Sequence, residues 1–476
     1  MVKRGDEVRT VLEGFAEGKS VARLDGLVLF VHGGVPGDHV RVRLTRIKKN
    51  YLEGTAVEIL TPSRLRTEPR CRYFGTCGGC SWQQVEYQAQ LGFKQQLVKD
   101  ALERIGGFRG VHVHPPIGSA DVYFYRNKME FSFGERWLTQ EELEWQRSEQ
   151  LDRFALGLHI PQRFDRVLDL EECWLQSAES YRIVNMVRSF CQERALSVYS
   201  TRSHTGYLRN LVVREGKNTG DRMVNLVTSE SRPPVMEELT SLLLQQFPST
   251  TTFVNNITQR KSGVAIGETE VIYHGPGFIT ERLGDNTYRI SANSFFQTNT
   301  RQAENLYATA KRMAGLREDD VVFDLYSGTG TIALYIADAV RSVVGIESVD
   351  SSVADARSNA EFNNVENCTF LQGDLKDHLT GDVSLTERYG VPTVVVADPP
   401  RSGMHPRVVD EIIRLLPERV VYVSCNPATQ ARDLQRLCSG ETYRIGEVQP
   451  VDMFPHTVHV ENVVRLDRVQ EIPPRT

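Results

Sequence analysis

From about residue 290 onward the chain repeats one pattern: a short apolar run, a polar break, then a helical period. Apolar runs fall at 321–325, 342–346, 368–372, 393–397, 419–424 and 458–466. Helical patterns fill most of the intervals. Strand–helix alternation of this kind admits few folds, because the connecting helices must cover both faces of the sheet. It predicts an open, doubly wound, mostly parallel α/β sheet whose ligands gather outside the carboxyl ends of the strands.

The first of these strands opens "VVFDLYSGTGTIAL" (321–334), a strand, a glycine-containing turn and a helix. Gly328 and Gly330 permit a tight turn and close backbone approach. Nineteen residues after Gly328, Glu347 closes the apolar run "SVVGIE". A carboxylate at the end of a second strand can hold both hydroxyls of a ribose, which fits a nucleoside cofactor without a 2′-phosphate. Tyr326, Glu347, Asp374, Asp398 and Cys425 all fall at expected strand C-termini, and that shared placement is more specific than any one of them.

Two of those positions carry further information. Asp398 opens "DPPRSG" (398–403), a motif of methyltransferases that act on nucleobases. Enzymes that methylate an exocyclic amine carry an aromatic residue after the prolines, whereas Arg401 stands here, so a carbon atom is the better target. "VYVSCNPATQ" (421–430) is an apolar run ending in Ser424, Cys425, Asn426 and Pro427. It delivers one thiol to the cofactor rim, where a nucleophile is a better reading than core packing.

The first 70 residues read differently. "VRVRLTRI" (40–47) begins with strict alternation, Val40, Val42 and Leu44 on one face and Arg41 and Arg43 on the other. Period-2 alternation marks a half-buried strand, here with a cationic outer face suited to phosphates. A small OB-like β-barrel is the natural fold. Net charge is −5 for the chain, yet residues 1–70 hold 13 basic and 9 acidic side chains, a local balance that a nucleic-acid footprint requires. Between barrel and catalytic sheet, strands and helices mix. "YRNKMEFSFG" (125–134) is an alternating strand carrying Arg126 and Lys128, each equally suited to solvent or to RNA. "RNLVVREG" and "DRMVNLVTSE" pair, and 137–153 is a charged surface insertion. The boundaries expected are 1–61, 62–288 and 289–476. No apolar run is long enough to span a membrane and no apolar leader opens the chain, so a cytoplasmic protein is expected. Monomer is the default oligomeric state.

The eight cysteines fall at 71, 77, 80, 173, 191, 368, 425 and 438. In a large cytosolic chain, metal or catalytic roles outweigh disulfides. Cys71, Cys77 and Cys80 form C-x5-C-x2-C ahead of a helical pattern at 83–104, and Gly78 and Gly79 let the backbone fold tightly round a metal. A fourth ligand must come from a distance. Spacing alone does not separate zinc from an iron–sulfur cluster. Cys191, Cys368 and Cys438 read as small buried hydrophobes.

Taken together, "SANSFFQTN" (291–299), "DLYSGTGTIAL", "DPPRSG", "YVSCNPAT" and "HTVHVENV" (456–463) resemble, in order and spacing, the RNA 5-methyluridine (uracil-C5) methyltransferase family. The N-terminal barrel looks like a TRAM domain. The cysteine segment resembles the iron–sulfur branch, whose bacterial members modify 23S ribosomal RNA. Bacterial tRNA enzymes of the same chemistry usually lack both modules, although archaeal ones can carry them. The chain departs from the family in the 137–153 insertion and in Thr331, where Asn is common.

The resemblance implies a Rossmann-like catalytic domain that transfers a methyl group from S-adenosylmethionine to C5 of a uridine. The RNA expected is 23S rRNA, with a tRNA T-loop uridine as the alternative and a non-catalytic iron–sulfur RNA-binding protein as the third reading. By matching motif, Cys425 is the nucleophile and Glu461 the base, with His456 and His459 as alternatives nearby. Gln297, Tyr326, Glu347, Asp374 and Asp398 contact the cofactor. Asp398 is also a candidate to accept from uracil N3–H. Cys71, Cys77, Cys80 and Cys173 hold a [4Fe–4S] cluster, with Cys191 the runner-up for the fourth position. A fourth cysteine closes the cluster, which implies a structural or RNA-binding role and disfavours radical chemistry.

Overall fold

A computed structural model describes residues 2–16, 18–137, 153–161, 163–261, 265–375 and 384–469. The insertion at 137–153 lies almost wholly outside the described residues. Six strands open the chain: β1 (Glu7–Val11), β2 (Gly14–Ala16), β3 (Lys19–Leu24), β4 (Leu27–His32), β5 (His39–Ile47) and β6 (Tyr51–Thr61). They form one curled sheet in the order β1-β5-β6-β4-β3-β2, with β1 returning beside β3. Val40, Val42 and Leu44 point inward with Leu12, Leu29, Val31 and Leu52, as the alternation requires.

The outer face of β5 corrects one expectation. Arg41 pairs with Glu7 (3.4 Å) and Glu58 (2.5 Å), and Arg43 pairs with Glu7 (2.9 Å). Glu7 comes from β1 and Glu58 from β6, the two neighbours of β5 in the sheet. The stripe is cationic in sequence but largely neutralised in the fold.

A second sheet follows, built from β7 (Lys128–Glu135), β8 (Phe154–Ile160), β9 (Arg163–Asp169), β10 (Leu208–Glu215), β11 (Arg222–Thr228), β12 (Thr252–Ile257) and β13 (Thr269–His274). Its order is β13-β12-β11-β10-β7-β8-β9, with β10 and β11 antiparallel as expected and β11 and β12 parallel. Helices Ala178–Glu193 and Pro233–Gln246 bury Ile183, Val187, Leu239 and Leu243 in its core.

The hairpin β14 (Phe278–Leu283) and β15 (Asn286–Ser291) packs Ile279, Leu283, Tyr288 and Ile290 into the catalytic core, ahead of the expected boundary at 289. The catalytic sheet holds β16 (Val321–Leu325), β17 (Ser342–Glu347), β18 (Cys368–Gln372), β19 (Val394–Ala397), β20 (Arg419–Ser424), β21 (Tyr443–Val451) and β22 (Glu461–Arg468). The order is β18-β17-β16-β19-β20-β22-β21. The first five strands are parallel, and β22 runs antiparallel between β20 and β21. The helix Tyr87–Arg104, which begins four residues later than the periodicity suggests, lays Val98, Ala101 and Leu102 on this sheet. Phe15 of β2 meets Trp82 and Phe93 at ring distances of 4.7 and 5.0 Å, seating the barrel on the same helix. Among the described residues no helix is long and apolar enough to cross a membrane.

Candidate active site

Strand register brings the expected residues to one edge of the sheet. Leu325 pairs with Ile346 on one side and Ala397 on the other, and Glu347 pairs with Gln372. Ala397 pairs with Tyr422. Tyr326, Glu347, Asp374 and Asp398 therefore leave their strands at nearly one level. Across the antiparallel pair, Ser424 faces Asn462, so Glu461 stands opposite the next position, Cys425. Pro427 at the first turn of helix Pro427–Leu437, and Asn426 accepting from Ala428 N–H, stop the strand there.

Tyr326, Glu347 and Asp374 line one open cavity of about 590 Å³ together with Met404, His405 and Arg432. Tyr326 adopts a left-handed φ of 64°, which is rare for a bulky side chain and concentrates at functional turns. Gly330 is required: at its φ of +77°, an added Cβ would also meet Phe370 at 2.8 Å. The Glu347 carboxylate accepts from Gly328 N–H (3.1 Å), Val349 N–H (2.9 Å) and the Ser348 hydroxyl (3.1 Å), so the loops that line the cavity also aim it. Gln297 is buried but does not line this cavity, and Asn127 donates to its main-chain carbonyl at 2.8 Å. The Thr331 hydroxyl, where the family carries Asn, is engaged by buried Tyr307 at 3.1 Å.

Glu461, Asp398 and Cys425 share a poorly solvated environment. Burial, reinforced by Asp398, pushes the Glu461 carboxyl up to about 8, with Arg401 opposing. Burial alone pushes Asp398 up to about 7. The Cys425 thiol is pushed up to about 11, first by burial, then by Glu461 and Asp398, again with Arg401 opposing. The thiol is thus not lowered by its surroundings; what the site supplies is carboxylates beside it. Burial lowers both His456 and His459 to about 4, so neither imidazole is an effective proton acceptor at neutral pH. His456 Nδ1 also lies 3.2 Å from Gln90 Nε2.

Two groups were not assigned to the site by sequence reasoning, although Arg401 was noted after the prolines. Arg401 is the cation felt by Cys425, Glu461 and His459, and its carbonyl accepts from Asn426 (3.0 Å) and Thr429 (3.2 Å). The signal available was its place after the prolines at a strand end. Asp324 lies buried in β16, its carboxyl held well above the usual range by burial, Asp398 and Glu347. The signal there was an acidic residue inside an apolar strand.

Cys71, Cys77, Cys80 and Cys173 come together in electrostatic range of one another. Cys191 does not join them; it is buried in the central core with Phe190 and Val187. Backbone N–H groups of Tyr73 and Phe74 point to the Cys71 sulfur, that of Gly79 to Cys77 and that of Leu175 to Cys173, while the Gln83 side chain reaches Cys80. A Cβ at Gly78 would meet the His159 carbonyl at 3.2 Å, so glycine lets this segment lie against β8. Among the described residues no three His, Cys, Asp or Glu side chains converge on a single ion position. Four thiols, each receiving an N–H donor, are a donor set that fits thiolate ligation of a metal group, and their spacing does not choose between zinc and an iron–sulfur cluster.

A Rossmann-like sheet with β22 reversed between β20 and β21, and an acidic residue beside a cavity at its carboxyl edge, is the architecture of an S-adenosylmethionine-dependent methyltransferase. Comparison with known proteins narrows the class. Residues 278–469 match the tRNA (uracil-5-)-methyltransferase family and residues 2–57 match the TRAM domain. An uncharacterised RNA methyltransferase of Chlorobaculum tepidum is 44% identical over 98% of both chains, and one of Porphyromonas gingivalis is 43% identical over 96% of this chain and 98% of its own. The crystal structure of Pyrococcus abyssi tRNA (uracil-54, C5)-methyltransferase in complex with S-adenosyl-L-homocysteine matches with a TM-score of 0.74 at 31% identity. That match covers 96% of this chain and all of the other. The chain belongs to the RNA (uracil-5-)-methyltransferase family and is an S-adenosylmethionine-dependent RNA methyltransferase.

Proposed function

We propose that this enzyme methylates C5 of a uridine through a covalent adduct between Cys425 and C6 of the uracil. The observation that carries the reading is the register of β20 and β22, which sets Glu461 opposite Cys425 with Asp398 on the adjoining strand. Carbon-5 of uracil is too weak a nucleophile unaided. Addition of the Cys425 sulfur to C6 pushes an electron pair through C5=C6 to O4 and makes C5 an enolate carbon. Asp398 is the group at hand to take the thiol proton, which leaves Glu461 free for the later step. S-adenosylmethionine, held by Gln297, Tyr326, Glu347, Asp374 and Asp398, supplies the methyl as an electrophile on a sulfonium. Glu461 then removes the C5 proton, the C5–H pair re-forms C5=C6, and the C6–S bond breaks with its pair returning to Cys425. A base near 8 is well matched to this step. The uridine must leave its stack to expose C5 and C6, at a cost of a few kcal/mol.

The RNA we propose is 23S ribosomal RNA, modified in the cytoplasm by a monomer. Support comes from the barrel and cysteine cluster together. The Pyrococcus protein, whose match spans all three units of this chain, acts by name on tRNA; that favours a T-loop uridine as the second reading. Cys71, Cys77, Cys80 and Cys173 are proposed to hold a [4Fe–4S] cluster, which would cross-link the segment 71–80 to the loop at 173 and do no redox work at Cys425. RNA containing 5-fluorouridine tests the function, because fluorine cannot leave C5 as a cation and the adduct persists. Trapping of 23S rRNA supports the first substrate, and trapping of a tRNA T-loop moves the assignment to the second. No adduct with wild type, or an undiminished adduct with Cys425→Ala, defeats the mechanism.

A further inference from the structure

The loop 452–460 leaves β21 after Val451 and returns at Glu461, and those two residues are themselves register partners. It is therefore an excursion between two sheet positions, and the sheet alone does not order it. What orders it comes from a helix more than 300 residues earlier in the chain. Lys94 Nζ, fully buried, donates to Asp452 Oδ1 at 2.5 Å and to the Phe454 carbonyl at 3.0 Å. Tyr87 donates to Asp452 Oδ2 at 2.8 Å and itself accepts from Ser119 N–H at 2.7 Å. Gln90, also fully buried, accepts from His456 N–H at 2.9 Å and donates to the Val85 carbonyl at 2.8 Å. The His456 carbonyl takes the N–H groups of both Ser81 and Trp82 at 2.9 Å, beside Cys80, and His456 holds a left-handed φ of 64°.

The far side of this loop faces the reacting groups. His459, whose N–H is fixed by the Thr457 hydroxyl at 3.2 Å, feels Arg401 and Arg126 as well as Lys94, and its ring meets Phe454 at 6.2 Å. Glu461 follows two residues later. Its neighbour Asn462 points to the opposite face, where it donates to Gln430 at 2.7 Å, so strand alternation turns Glu461 toward Cys425. A buried ion pair is weak support for stability, since apolar replacements often serve as well. Its use in fixing one geometry is the better explanation when the fixed element leads into a reacting group.

We infer that Lys94 and Gln90, acting through Asp452 and His456, are positioning residues that set Glu461 for removal of the C5 proton. The inference rests on the proposed covalent mechanism and extends it to residues that touch neither RNA nor cofactor. Because the same His456 carbonyl receives Ser81 and Trp82, order in the cysteine segment reaches the base through this network.

The test uses the full-length protein with ordinary uridine RNA and with 5-fluorouridine RNA. Lys94→Met alone leaves Asp452 buried without its cation, held only by Tyr87 and the Phe454 N–H. The double variant Lys94→Met with Asp452→Asn removes both charges but does not restore the donor to the Phe454 carbonyl. In that double variant, release of the adduct should slow by roughly a hundredfold, as for a misplacement of about 1 Å. S-adenosylmethionine affinity and RNA KM should hold, so that kcat alone falls and covalent protein–RNA complex builds up on ordinary uridine. Trapping by 5-fluorouridine RNA should stay at the wild-type level, because adduct formation needs Cys425 and not the base. A double variant with wild-type melting temperature and wild-type release overturns the inference, as does a loss spread equally over kcat and KM. Failure of wild type to trap 5-fluorouridine RNA would instead indict the covalent mechanism. Should neither charge variant fold, Gln90→Met removes only neutral hydrogen bonds, and the same two outcomes decide.

Discussion

Glu461→Gln preserves side-chain volume and removes the proton acceptor. With the carboxyl at about 8 in the wild type, roughly one molecule in ten carries the base form at pH 7 and about half at pH 8. Adduct release in the wild type should therefore quicken about fivefold between those pH values. In the variant release should slow by about 10²- to 10⁴-fold, the usual worth of a positioned base, and should lose that pH dependence. Adduct formation should not suffer, because Glu461 is one of the two carboxyls that push the Cys425 thiol up. Single-turnover mixing from pH 6 to pH 9, with the covalent complex followed on denaturing gels, separates the steps. Stability gives a second readout. A carboxyl whose folded pKa lies above its ordinary 4.5 favours the folded state fully below 4.5, and that contribution is lost as pH rises through about 8. Relative to wild type, the Gln variant should thus gain melting temperature between pH 5 and pH 9, by the equivalent of a few kcal/mol at most. A variant that turns over within threefold of wild type, with the same inflection near 8, would refute the assignment of Glu461 as base.

Glu347→Gln and Asp374→Asn should each weaken S-adenosylmethionine binding by about ten- to a hundredfold, measured by calorimetry, with trapping on 5-fluorouridine RNA preserved at saturating S-adenosylmethionine. Cys173→Ala should strip iron and sulfide from anaerobically purified protein. Cys191→Ala should keep near four of each and lower stability by about 1 kcal/mol; stoichiometric zinc in the wild type would sink the cluster. Because Arg41 and Arg43 are already paired with Glu7 and Glu58, replacing both by Ala should change the salt dependence of RNA binding by less than one counterion. Replacing Lys48 and Lys49, exposed between β5 and β6, should reduce the slope by about one to two.

What could be read from the chain and what could not divide along one line, the distance over which a contact is encoded. Tyr326, Glu347 and Cys425 were legible because each closes a locally apolar strand, and strand ends in a doubly wound sheet converge whatever the side-chain detail. β21 was missed because Gly446 sits at a bulge between Ile445 and Glu447 and Pro450 interrupts the run, so its alternation breaks. The arginine stripe of β5 was legible, but its neutralisation was not. Glu7 and Glu58 meet it only through the pairing of β1 and β6 with β5, which no local period reports. The Lys94–Asp452 pair is the extreme case: 358 residues separate its members, and in sequence Lys94 is one more polar position in an amphipathic helix.

The same burial has opposite consequences for the two groups proposed to react. It brings Glu461 close to neutrality, which suits a base that has to pick up and release one proton per cycle. It also takes the Cys425 thiol to about 11, further from the thiolate that must add to C6. Both facts hold in the protein without RNA, where Arg401 is the cation opposing the two carboxyls. On the proposed mechanism that balance changes when a carboxyl takes the thiol proton and the sulfur adds to C6. A thiol kept protonated until that moment is protected from oxidation and alkylation in the free enzyme. Nucleophilic strength then develops only when the correct base is in place, so the environment that looks unfavourable for the cysteine also restricts its chemistry to the substrate.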